Sequence, residues 1–263
     1  MQLIDSHSHF DDASFAADRA AALARAHAAG VMAQIVPATH ADGWAQLESV
    51  CSQHPGLYPA YGLHPVFLPQ HLPAHLDALQ QQLASGKPCV AVGEIGLDYF
   101  LDTLDRQQQQ NFFEAQLRLA LEFNLPVIIH ARRAFDAVIA TLRRFPGSRG
   151  VIHSFSGSLE QAKQLCKMGF MLGIGGPLTY PRAQRLRRTV TQIPLDYLLL
   201  ETDAPDQPDS QWRGQRNEPA RLLAILDTLA ELRGESRETI AAATTANAER
   251  LFGIPISRIS QSA

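Results

Sequence analysis

The chain is poor in cysteine. Cys51, Cys89 and Cys166 are the three in 263 residues, and they stand far apart with no C-x-x-C pair. That excludes a disulfide framework and a zinc ribbon as organising devices. Long apolar runs are also missing, since none reaches the roughly 18 residues of a membrane span. Residues 1–7 have neither a basic stretch nor a long apolar core, so a secretory leader is not expected. Basic excess is absent: the formal net charge is −3. No global positive field can then hold a long nucleic acid, and any such activity must rest on a local site. No G-x-G-x-x-G or Walker loop follows the first strand-like run, which counts against a nucleotide-binding open sheet. No internal repeat or linker divides the chain. A single domain over 1–263, cytoplasmic, off the membrane and without an obligate protein partner, is the expectation these absences leave.

What is present is alternation. Short apolar runs at 2–6, 31–38, 57–63, 88–95, 125–129, 150–152, 169–174 and 195–202 read as strands. Helical patterns lie between or after them, at 16–29, 105–124, 216–232 and 237–251. The glutamine clusters at 80–82 and 107–110 read as solvated helix faces. Eight strands alternating with helices imply a parallel sheet with crossovers. In a (β/α)8 barrel, functional groups come from the ends of many strands; in a doubly wound sheet they gather at one switch point. Here ionisable residues close one strand after another, so an α/β fold of the closed TIM-barrel type is predicted.

Ten histidines are many for this length, and their placement carries the signal. His7 and His9 sit at i and i+2 and can aim two imidazoles to one side. Glu94 shares a face with Val90 and Val92, where a carboxylate is costly unless paired or bound to metal. His130 and His153 each end an apolar strand. Asp203 ends the last strand, with Glu201 deeper on the same face. Each residue alone also fits an ordinary polar side chain at a strand end or a salt bridge. Together, four histidines and two carboxylates suffice for two divalent cations, with Glu94 as a possible bridge. Mixed nitrogen and oxygen ligands suit Zn, Mn or Fe, and Mg less well. Two metals roughly 3.5–4 Å apart can share a hydroxide and stabilise attacking and leaving oxygens.

These residues resemble the TatD family of metal-dependent deoxyribonucleases, within the amidohydrolase-like barrels. The matching stretches run from Asp5-Ser6-His7-Ser8-His9-Phe10 through Gly62-Leu63-His64-Pro65 to Val92-Gly93-Glu94-Ile95-Gly96-Leu97-Asp98-Tyr99. They continue with Val127-Ile128-Ile129-His130, His153-Ser154-Phe155-Ser156-Gly157 and Glu201-Thr202-Asp203-Ala204-Pro205, and end with Arg216-Asn217-Glu218-Pro219 and Asn247-Ala248-Glu249-Arg250-Leu251-Phe252. The resemblance implies one metal at His7, His9, Glu94 and Asp203, and a second at Glu94, His130 and His153. It implies that His64 lies near a scissile phosphate and that Arg132 meets a phosphate. Three residues depart from the commoner pattern: Arg133 replaces an acidic residue, Asp206 a tyrosine and Ser154 a cysteine. Arg133 and Asp206 are closer to the YjjV-like branch.

The implied reaction is phosphodiester hydrolysis at a DNA end, 3′→5′, by a metal-activated hydroxide with Asp203 as general base and His64 and Arg132 holding the phosphate. One alternative is hydrolysis of a small ester or amide, or of an aminoacyl ester on tRNA. A non-catalytic metal-binding barrel is another. The arginines Arg182, Arg185, Arg187 and Arg188 read as a solvated basic face.

Overall fold

The computed structural model describes residues 1–255. Eight parallel strands alternate with helices: β1 Leu3–Asp5, α1 Arg19–Ala28, β2 Val31–Pro37, α2 Trp44–Gln53, β3 Leu57–Ala60, α3 Ala74–Ala84, β4 Val92–Asp98, α4 Arg106–Glu122, β5 Val127–Arg132, α5 Phe135–Leu142, β6 Gly150–Ile152, α6 Leu159–Lys167, β7 Phe170–Ile174, α7 Gln184–Gln192, β8 Leu198–Leu200, α8 Leu222–Arg233 and α9 Arg237–Phe252. Regular pairing runs β1-β2-β3 and β4-β5-β6-β7-β8. Two seams close the ring. At one, Tyr61 bridges Val92 and Gly93 N–H donates to Tyr61 O at 2.9 Å. At the other, Ser6 N–H donates to Leu200 O at 2.9 Å. The result is the predicted (β/α)8 barrel.

The strands are short and apolar because both faces are buried. One face packs under the surrounding helices. The other fills the barrel with Ile4, Ile35, Ala60, Ile128, Val151, Met171 and Leu199, and this cluster continues onto Ala248, Leu251 and Phe252 of α9. That helix closes one end of the barrel. Two residues beyond Ile128, Val151 and Leu199 come His130, His153 and Glu201. A strand repeats its facing every second residue. The same inward face that is apolar at depth is therefore polar at the opposite mouth.

Several expected boundaries shift. β8 is only Leu198–Leu200, because residues 195–197 form a 3-10 turn. The helix expected from 216 begins at Leu222, after a 3-10 turn over Pro219–Arg221. β4 runs to Asp98, so Glu94 lies within the strand and not at its end. Gly96 permits that extension: its φ is +134°, and a Cβ there would collide with the His130 carbonyl. Gln109 corrects the solvated reading of its cluster. It is 1% exposed, its Oε1 accepts from Asp98 N–H at 2.8 Å, and its Nε2 donates to Asp98 O at 2.9 Å. The end of β4 would otherwise bury unpaired backbone groups. No helix among the described residues is long and apolar enough to cross a membrane.

Candidate metal centre

The six residues expected as ligands converge, and Glu94 stands between two sets of them. On its Oε2 side, His7 Nε2 lies 3.3 Å away and His9 Nε2 3.5 Å away. Asp203 Oδ1 faces the same two nitrogens at 3.5 and 3.6 Å. On the Oε1 side lie His64 Nε2 and His153 Nε2, both at 3.1 Å, and His130 Nδ1 at 3.2 Å. Two ligand atoms of a tetrahedral ion bonded at about 2.0–2.2 Å lie roughly 3.4 Å apart. The observed spacings fit that edge. Glu94 Oε1 is buried and accepts no hydrogen bond despite three neighbouring imidazole nitrogens. A buried oxygen without a partner is costly, and a cation would supply one. The donor set can therefore hold a metal ion, and ligand atoms of His7, His9 and Glu94, of His7, His153 and Asp203, and of His64, Glu94 and His130 each lie close enough to share one.

The tautomers follow from the outer partners. His9 Nδ1 lies 3.2 Å from Pro37 O, so that nitrogen carries the proton and Nε2 is free toward the centre. His130 Nε2 donates to Asp98 Oδ2 at 2.9 Å, which leaves Nδ1 free. His153 Nδ1 lies 3.5 Å from Glu201 Oε1 without a hydrogen bond to it, and its Nε2 faces Glu94. Such outer carboxylates fix ring orientation and raise ligand basicity. His64 is the reverse. Its Nδ1 accepts from Val66 N–H at 3.1 Å, so the neutral ring carries its proton on Nε2, the atom that faces the centre. This tautomer presents a donor and not a ligand lone pair. Burial pushes its pKa down to about 4, so the ring is neutral near pH 7.

Charge in the centre is shared among close neighbours. Burial would raise the Glu94 pKa, but its interactions with the imidazoles of His64, His153, His7 and His130 outweigh it and hold the carboxyl well below its usual range. Burial would lower His9; Glu94 and the Asp203 charge outweigh it and lift the ring to about 9, so a cation bound at its Nε2 would displace a proton from that atom. Burial, then His153, push His7 down. Asp203 is raised to about 6 by burial, against the opposing pull of His153 and His9.

Backbone closure brings Asp203 to the histidines. Asp203 N–H donates to His7 O at 2.9 Å and His9 N–H donates to Ala204 O at 2.7 Å. Asn217 Nδ2 pins the same loop through Thr202 O and Asp206 O. Asp203 itself has φ of 58°, in the left-handed region. Below it, Glu201 has room because Gly173 has no side chain: a Cβ there would collide with Glu201 Oε2. Arg132 lines the same cleft of about 1150 Å³, as do Ser154 and Asp206. Of the basic helix, Arg185 and Arg187 each commit a donor, to Ser156 O and Leu178 O.

Two residues escaped the sequence reading. Asp98 lies inside a recognised motif, but its contact with His130 depends on β4 extending beside β5. Gln207 has no periodic signal at all. Its Nε2 donates to Asp203 Oδ2, and its Oε1 accepts from Ser154 Oγ at 2.9 Å. A donor to a carboxylate favours ionisation. Gln207→Ala should therefore raise the Asp203 pKa and move the acidic limb of a kcat/KM profile to higher pH, with roughly tenfold loss of activity. An unmoved limb would remove Gln207 from this role.

A closed parallel barrel with two adjacent histidine–carboxylate groups at one mouth defines a metal-dependent hydrolase. The profile of the family described as TatD related DNase matches residues 4–253, and the chain belongs to that family. It is 44% identical over 257 residues to the uncharacterized metal-dependent hydrolase YjjV of Escherichia coli K12, covering 97% of this chain and 99% of that one. It is 34% identical over 270 residues to the 3′-5′ ssDNA/RNA exonuclease TatD of Klebsiella pneumoniae, covering 98% and 100%. The crystal structure of YjjV, a TatD homologue from Escherichia coli K12, superposes with a TM-score of 0.93 at 43% identity, covering 96% and 98%.

Proposed function

We propose that this chain is a two-metal phosphodiesterase that removes nucleotides from DNA ends in the 3′→5′ direction. The observation that carries the reading is Glu94, whose two carboxylate oxygens each face a separate ligand group. His7, His9, Asp203 and Glu94 Oε2 would hold one cation; His130, His153 and Glu94 Oε1 would hold the other. The nitrogen-rich set suits Zn, Mn or Fe better than Mg. Such cations, when bound, supply Lewis acidity at a phosphoryl oxygen and lower the pKa of water. The protein's own groups do the rest. Asp203, its pKa raised toward neutrality, accepts the proton of the attacking water. His64 offers its Nε2–H to a phosphoryl oxygen, and Arg132 at the cleft wall meets the phosphate charge. Relatives named 3′-5′ ssDNA/RNA exonuclease support the choice of substrate.

The test is purified protein with Mg, Mn or Zn on single-stranded DNA labelled at either end. Mononucleotides released from the 3′ end are expected, and Asp203→Ala should abolish them. Intact DNA under every metal would sink the reading.

One observation favours a second reading, hydrolysis of a small ester or amide. Asp11, Asp12 and Asp206 line the cleft, while Arg132 is its one lysine or arginine among the described residues. An acidic wall repels a polyanion. Turnover of neutral esters with none of phosphodiesters would select this alternative.

A further inference from the structure

At the end of β5 two successive arginines serve different cavities. Arg132 lines the main cleft beside His130. Arg133, with φ of 55°, breaks the strand alternation and lines a separate cavity of about 320 Å³, together with Tyr99, Phe135, Asp136 and Gln161. Phe100 contacts both arginines. Its ring centroid is 3.7 Å from Arg132 Cζ and 4.7 Å from Arg133 Cζ. Phe100 is 40% exposed, although a large apolar side chain at the surface gains little from folding. What it does is hold two cations in order.

Both guanidiniums are otherwise uncommitted. Neither has an ion-pair or side-chain hydrogen-bond partner among the described residues. Asp136 lines the cavity too but makes no direct ion pair with Arg133; its Oδ1 accepts from Gln161 Nε2 at 2.7 Å. Arg106 lies 4.7 Å from the Tyr99 ring and is paired with Asp102 at 3.8 Å. The cavity is tied to the metal centre through Asp98. Its Oδ2 accepts from His130 Nε2 at 2.9 Å, while its Oδ1 accepts from Phe100 N–H at 2.9 Å and Leu101 N–H at 3.3 Å. The residue that orients a candidate ligand therefore also fixes the turn that presents Phe100.

We propose that the Tyr99–Arg133–Phe135 cavity is a second nucleotide subsite, which takes the residue next to the scissile phosphate of a single strand. Arg133 meets the phosphate one residue further from the 3′ end, and the exposed Phe100 and half-buried Tyr99 offer aromatic surface to the base, while Phe135, packed on Phe155, forms the cavity floor. Paired cationic and aromatic groups recognise single strands without reading sequence. At about 320 Å³ the cavity accommodates one nucleotide and no duplex. Arg133 there adds a guanidinium to the one that Arg132 gives the acidic cleft. The identity of the ligand rests on the nuclease reading above.

The experiment compares d(TpT), which has one phosphate, with d(TpTpT), which has two, on the metal-loaded enzyme. The wild type should show a KM about tenfold lower for the longer substrate, the scale of one charge-assisted phosphate contact. Arg133→Gln should remove most of that difference and reduce the salt slope of binding by about 0.7. Phe100→Ala should act likewise, and Phe100→Tyr should restore it. Equilibrium anisotropy of a labelled trinucleotide on metal-loaded Asp203→Asn protein separates the two ideas. Binding that depends on Arg133, with no cleavage of the trinucleotide by the wild-type enzyme under any metal, keeps the subsite and removes the nuclease reading. Cleavage with an unchanged substrate ratio in Arg133→Gln removes the subsite alone. Absence of trinucleotide binding removes it as well.

Discussion

Glu94→Gln is expected to abolish turnover and to leave the protein with at most one bound cation. Glutamine keeps the shape of the side chain but loses its charge, and it offers one carbonyl oxygen in place of two carboxylate oxygens. One of the two groups then faces an amide NH2 where it had an anionic ligand. Loss of an outer partner of a metal site typically costs about 10–100-fold; loss of this shared ligand should cost more than about a hundredfold. Stability gives an independent readout. A ligand present at 100 times its Kd stabilises the folded state by about 2.7 kcal/mol. For a chain of this size that is roughly 5–10 °C in Tm. Wild-type protein stripped by chelation and reloaded should regain that increment, and Glu94→Gln should regain little of it. Two equivalents of metal in the purified variant, with normal turnover, would refute the shared role.

Asp203→Asn should lower kcat by about 10²–10⁴, the range general acid–base groups supply, while about one equivalent of metal remains on the His130 and His153 side. The sign of its pH dependence follows from chemistry. Asp203 must be ionised to accept a proton, so activity rises as pH increases through its pKa. Burial places that pKa above the ordinary aspartate value, at about 6. In the Asp203→Asn protein the residual activity should lack that acidic limb. The contrast with Gln207→Ala is informative, since there the limb should remain and move upward. An Asp203→Asn protein that keeps both rate and limb would assign the proton transfer elsewhere.

Much of the barrel is legible in the chain because a buried parallel strand needs a short apolar run and a crossover needs a helix. The inward-facing polar residues are legible for the same reason. Ile128 and His130, Val151 and His153, and Leu199 and Glu201 share the period of two that a strand imposes, whereas Asp203, past the end of β8 with φ of 58°, is placed by its N–H bond to His7 O. Where the reading failed, a contact between distant segments had overridden local pattern. Gln109 belongs to a run of polar residues, yet it is buried because the end of β4 needs its amide. The helix expected from residue 216 starts later because Asn217 is committed to the loop that holds Asp203. Asp98 and Gln207 carried no periodic signal, since each acts through a neighbour brought in by another strand or loop.

The sequence by itself determined the alternation of strands and helices, the order of the ligand-type residues, and the charge pattern that denies the chain a global nucleic-acid surface. Each is a local property, set by side-chain type and spacing. Only the tertiary structure decided that Glu94 divides its oxygens between two groups and that His64 turns a protonated nitrogen to the centre where its neighbours turn lone pairs. It alone put both Arg132 and Arg133 against the Phe100 ring. These depend on closure of the β3–β4 and β8–β1 seams and on ring orientations set by partners such as Pro37, Val66 and Asp98. No spacing along a chain encodes which nitrogen of an imidazole faces inward, because that choice belongs to the group on the ring's other side.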